Sequence, residues 1–66
     1  MTKYSIVRSE ERTYIFASAG DFTSQIEINT SRISPEYVLK VFEENDVAPE
    51  HIQNIYEDLI FKKYMV

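Results

Sequence analysis

The run TYIFASAGDFTSQIEIN, residues 13–29, decides the fold. Its first half is rich in β-branched and aromatic residues, the composition of a strand. At its centre the only Gly of the chain, Gly20, precedes Asp21. Its second half alternates, with Phe22, Ile26 and Ile28 on one side and Thr23, Gln25, Glu27 and Asn29 on the other. Gly20-Asp21 suits a two-residue hairpin loop, which needs a positive φ. Such a loop pairs Ala19 with Phe22, Ala17 with Ser24 and Ile15 with Ile26.

Upstream, residues 3–8 form a second strand-like run, separated from residues 13–19 by the polar turn Ser9-Glu10-Glu11-Arg12. Centring that turn on Glu10-Glu11 pairs Arg8 with Thr13, Ile6 with Ile15 and Tyr4 with Ala17. The two hairpins are assigned independently, yet both send Tyr4, Ile6, Ile15, Ala17, Ala19, Phe22, Ile26 and Ile28 to one face. A one-residue slip in either would break that agreement. The middle strand is apolar on both sides.

Downstream, Ser34-Pro35-Glu36 has the chemistry of a helix start: a capping hydroxyl, Pro at the first helical position and a carboxylate in the first turn. Ile33 can staple onto Val38. Tyr37, Val38, Leu39, Val41 and Phe42 cover one broad side, with Glu36, Lys40, Glu43 and Glu44 opposite. Asn45-Asp46 ends the helix, with Asn suited to a left-handed cap. A second helix is expected from Pro49-Glu50, its stripe of Ile52, Ile55, Tyr56, Leu59 and Ile60 following the helical period. The short connection implies antiparallel neighbours. The starts at 34–38 and 48–52 look alike, which reflects repeated helix-start chemistry; nothing else recurs. The expected architecture over residues 1–66 is one α+β domain, β-β-β-α-α. It is a three-stranded antiparallel meander followed by two antiparallel helices packed on one face, with the other face open.

Sixty-six residues lie near the lower limit for unaided folding, since a chain this short buries only about 60% of its unfolded surface. Without Cys there are no disulfides, and homodimerisation would be a reasonable supplement to a core drawn from 44% apolar residues. The absence of Cys fits a reducing compartment. The first residues lack the apolar run of a signal peptide, and no stretch approaches the roughly 20 apolar residues of a membrane helix. The expectation is a cytoplasmic protein that does not engage a membrane.

The net charge of −4 hides an asymmetry. In residues 1–32 the charges cancel. Residues 33–61 carry Glu36, Glu43, Glu44, Asp46, Glu50, Glu57 and Asp58 against Lys40 alone. This half repels phosphate and attracts a basic partner.

Catalytic constellations are not expected. His51 is the only imidazole and falls in a helix start, where a solvated role explains it. A phosphate-cradling loop needs several glycines. Glu43, Glu44, Asp46 and Glu50 lack the order of ligands in a calcium loop. Neither cofactor nor metal is expected, and the reading is non-enzymatic.

Two surface features remain. The register that buries Ile15 and Ala17 turns Tyr14 and Phe16 outward beside Val7, among Lys3, Ser5, Ser18, Thr23, Gln25 and Glu27. That is an apolar patch with a polar rim. On the second helix Phe61 lies opposite the buried stripe, with Glu57 and Asp58 one turn before it and Tyr64 one turn after. The expected partner-binding residues are therefore Val7, Tyr14, Phe16 and Phe61, and the expected acidic surface is Glu43, Glu44, Asp46, Glu50, Glu57 and Asp58.

The leading expectation is a small acidic module that binds, regulates or inhibits a protein with a basic surface. Its sharper form has the acidic helices imitate a phosphate backbone and block a nucleic-acid-handling enzyme, in the manner of small acidic proteins of phages or mobile elements. The alternatives are single-stranded nucleic-acid stacking on Tyr14 and Phe16, which Glu27 and the overall acidity oppose, and a homodimeric structural subunit.

Overall fold

The computed structural model describes residues 1–65, with side chains placed for residues 1–61. Strands β1 (Lys3–Ser9), β2 (Arg12–Ala19) and β3 (Phe22–Ile28) form one antiparallel sheet in the order β1-β2-β3. Helix α1 (Pro35–Asn45) follows, then a 3₁₀ turn at Pro49–His51 and helix α2 (Ile52–Met65). This is the β-β-β-α-α arrangement of an α+β domain. The register is the expected one on both sides of β2, including Tyr4 with Ala17, Ile6 with Ile15, Ile15 with Ile26 and Ala19 with Phe22.

Both hairpins use a positive φ at the first of their two central residues, 55° at Glu10 and 60° at Gly20. That is the requirement of the type II′ turn, whose twist matches that of the strands it joins. The second turn meets it with Gly. The first meets it with Glu, which strains the backbone because Cβ crowds the carbonyl in that region.

The β3–α1 connection is organised by Asn29. Its side chain accepts from the Ser31 N–H at 3.2 Å and the Ser31 hydroxyl at 2.6 Å, and its carbonyl accepts from the N–H groups of Arg32 and Ile33. Ser34 then caps α1, accepting from the Tyr37 N–H at 3.4 Å. Ile33 and Val38 are both in the core, as a hydrophobic staple needs.

Helix α1 ends at Asn45-Asp46 as expected, but the left-handed cap falls one residue later. Asp46, not Asn45, takes the left-handed conformation, with φ 46° and ψ 52°. The Asn45 side chain instead donates to the Val41 carbonyl at 2.8 Å and keeps its own backbone helical. The N–H of Asp46 bonds the Glu43 carbonyl and that of Val47 the Phe42 carbonyl, a Schellman closure. Moving the cap to Asp46 brings Val47 into the core with Phe42.

Contacts at the two ends of β1 orient the helix layer. Arg8 donates to the Glu36 carboxylate at 2.7 Å at one end. At the other, the Tyr4 hydroxyl donates to the Val47 carbonyl at 2.6 Å, and the Thr2 N–H donates to the Asp46 carboxylate at 3.3 Å. Helix α1 therefore runs antiparallel to β1. The 3₁₀ turn packs on β2 and β3. The Tyr56 hydroxyl then accepts the Asn29 N–H at 2.7 Å, so α2 returns toward the far end of β3. The second helix was expected from Pro49-Glu50; the structure places a 3₁₀ turn there, with Pro at its first position, and the α-helix starts at Ile52.

Ile15, Ala17, Ile26 and Ile28 from the sheet meet Ile33, Val38, Phe42, Val47, Ile52 and Tyr56 in one core. Tyr4 packs its ring on Phe42, with centroids 5.9 Å apart. Two residues expected inside are not. Phe22 is 51% exposed and Tyr37 53% exposed. Phe22 lies on the core side of the sheet, but its rung with Ala19 adjoins the hairpin tip, where the helices no longer cover the strands. Tyr37 sits one position before Val38 on α1, a rotation large enough to turn it off the buried stripe. Among the described residues no helix is long and apolar enough to cross a membrane.

Candidate functional site

The register on β2 carries Tyr14 and Phe16 to the face opposite the helices. Val7 stands directly across from Tyr14 and Ser5 across from Phe16; on the other flank Tyr14 faces Glu27 and Phe16 faces Gln25. Tyr14 and Phe16 are half-buried and Val7 is 41% exposed. Among the described residues no element lies over this face, so neighbouring strand side chains provide what burial there is. The three side chains form one continuous apolar patch. Arg12 and Glu27 border it as an exposed ion pair at 3.8 Å. The Arg12 guanidinium is pushed up from its ordinary value first by the Tyr14 hydroxyl and then by Glu27. An exposed pair of this kind adds little stability. Its consequence is local neutrality, with Lys3 as the remaining charge nearby.

The helix layer has the opposite character. Glu43, Glu44, Asp46, Glu50, Glu57 and Asp58 are all exposed there, and Phe61 is 63% exposed on the same layer. Tyr64, expected one turn further on, lies outside the described side chains. Among the described residues no group of three His, Asp or Glu side chains converges as a cation site requires.

The expected partner-binding residues thus separate into two surfaces. Val7, Tyr14 and Phe16 are together on the sheet; Phe61 and the carboxylates are on the far side of the molecule.

A third feature lies between the helices and was not expected. Val41 on α1, Val47 and Ala48 in the connection, and Ile55 and Leu59 on α2 line an open groove of about 590 Å³, with Asn45, Asp46, His51 and Asp58 also in its wall. Val41, Ala48, Ile55 and Leu59 are only half-buried. On the helical wheel Val41, Ile55 and Leu59 read as core. The signal that could have marked them is their position on the flank of each stripe, next to Phe42, Ile52 and Tyr56, which take the centre.

Compared with family models, with curated proteins and with solved structures, the chain has no significant match. Its function is argued from these surfaces.

Proposed function

We propose that this chain is a non-enzymatic protein-binding module, a regulator or inhibitor of another protein, and that it docks through the open face of its sheet. The observation that carries this reading is the continuous Val7–Tyr14–Phe16 patch on a face that no described element covers. Two aromatic rings and a Val within a rim of Ser5, Thr23 and Gln25 match the anatomy of a docking centre, with rigid apolar anchors inside and adaptable polar groups around them. The near-neutral border of Lys3, Arg12 and Glu27 selects a partner patch that is apolar and weakly charged. A partner with a basic surface would be met by the helix layer instead. The mimicry of a phosphate backbone belongs to that layer too, and the excess of carboxylates over Lys40 supports it.

The test compares three purified forms: wild type, Tyr14→Thr/Phe16→Thr and Asp58→Asn. Thr retains the preference for a strand while removing both rings. A partner cross-linked by wild type and identified from the native host is purified and titrated against each form. The proposal expects binding to fall by about tenfold or more with the sheet variant and to stay unchanged with Asp58→Asn. Equal binding by the sheet variant, shown to be folded by circular dichroism, overturns it. Light scattering decides the homodimer alternative, since a concentration-dependent dimer abolished by the same two substitutions would assign the patch to self-association.

A further inference from the structure

The helix layer presents a surface independent of the sheet face. We infer that the groove between α1 and α2 receives a basic amphipathic helix from a partner protein. Its floor is apolar, formed by Val41, Val47, Ala48, Ile55 and Leu59, and Asp46 and Asp58 stand in its wall, one Asp46 carboxylate oxygen being shared with the Thr2 N–H. Aliphatic side chains one helical turn apart on the incoming segment fill the floor, and Lys or Arg beside them meets the two carboxylates.

Three observations select this occupant. The first is charge. Among the described side chains from residue 33 to 61 Lys40 is the only cation, so the described surround of the groove is acidic and disfavours phosphate-rich or anionic ligands. The same charge opposes a second copy: a two-fold contact through this face would set Asp46 and Asp58 of one molecule against those of the other. The second is shape. A trough between two helices, with no free strand edge in its wall, accepts the ridge of a third helix by its i, i+3 and i+4 side chains. The third is pre-organisation. Val47 is fixed at both backbone groups, its carbonyl by the Tyr4 hydroxyl at 2.6 Å and its N–H by the Phe42 carbonyl at 3.2 Å, so the floor need not be ordered on binding.

The probe is a synthetic amphipathic Leu/Lys helix of about 14 residues, long enough to hold helical structure on contact, titrated into the full chain and followed by amide shifts. Its controls are a scrambled peptide of the same composition and a Leu/Glu peptide of the same pattern. Shifts should centre on Val41, Ala48, Ile55 and Leu59 and leave Val7, Tyr14 and Phe16 still. The scrambled and Leu/Glu peptides should bind at least tenfold more weakly. Asp46→Asn/Asp58→Asn should weaken the Leu/Lys peptide by about three- to tenfold, two exposed charge pairs being lost. Asn suits the left-handed position of residue 46, so the cap survives the change. Absence of binding, equal affinity for the scrambled peptide, or shifts centred on the sheet face would each overturn the inference. Tyr14→Thr/Phe16→Thr should leave this titration unchanged, which separates its outcome from that of the sheet-face proposal.

Discussion

Gly20→Ala and Glu10→Gly should move stability in opposite directions, and together they test the register on which the sheet face depends. Both residues occupy the first central position of a two-residue hairpin turn, with φ of 60° and 55°. A Cβ placed on Gly20 would meet nothing within 4 Å, so the whole penalty of Gly20→Ala is backbone strain. For an L-residue in that region the strain is about 1–2 kcal/mol, of which the unfolded-chain entropy removed by Ala offsets about 0.4–1 kcal/mol, leaving a net loss of about 0.5–1 kcal/mol. In a domain this small, 1 kcal/mol lowers the midpoint of thermal unfolding by about 4–8 °C. Glu10→Gly removes the same strain but adds about 0.4–1 kcal/mol of unfolded-chain entropy, leaving a net gain of about 0.5 kcal/mol. The turns lie at opposite ends of β2, so the effects of the double variant should add to within about 0.5 kcal/mol. Urea titration at room temperature, with an unchanged denaturant slope, reads both values. A neutral Gly20→Ala, or a Glu10→Gly that destabilises, would refute the turn assignments. Pairing one residue out of register would then send Tyr14 and Phe16 to the core side, and the docking face would be lost.

Four further outcomes follow from single contacts. Tyr56→Phe should cost about 1 kcal/mol in urea unfolding, because the Asn29 N–H loses its acceptor at the point where the β3–α1 connection is tied to α2. Glu36 is held below its ordinary carboxyl value, chiefly by its hydrogen bond from Arg8. Its stabilising contribution is therefore present above about pH 4.5 and lost as pH falls through the lowered folded value, so Glu36→Gln should flatten the acid limb of a stability-versus-pH curve. Burial pushes the Tyr4 phenol up, so its contribution is full below pH 10.0 and disappears as pH rises through the raised folded value; Tyr4→Phe should remove that alkaline loss while costing about 1 kcal/mol at neutral pH through the Val47 carbonyl. Raising the salt from physiological to about 1 M shrinks the screening length from about 8 Å to about 3 Å, which should weaken a ligand of the interhelical groove several-fold and leave one on the sheet face within about twofold. Calorimetric titration at the two salt concentrations reads the difference.

The sheet is legible in the sequence because its information is local. Strand alternation has a period of two, the Gly20-Asp21 and Glu10-Glu11 turns each fix a pairing, and the two pairings had to agree on one inward face. That agreement placed Val7, Tyr14 and Phe16 correctly, and the Ser34-Pro35 signal placed the start of α1. The left-handed cap of α1 falls on Asp46 and not on Asn45, a choice the sequence leaves open because both residues tolerate left-handed backbone. What chose between them was Val47 packing with Phe42, a contact local propensity does not contain.

Residue order alone thus determined the strands, their register, the inward and outward faces, and the presence of two helices in the half of the chain that bears most of the negative charge. Only the tertiary structure decided how far those helices reach and how closely they approach each other. Phe22 is left uncovered at the hairpin end, and Val41, Ala48, Ile55 and Leu59 are half-open instead of sealed. Periodicity reports the direction in which a side chain leaves its own backbone, whereas helix reach and spacing depend on side-chain bulk meeting across elements distant in sequence.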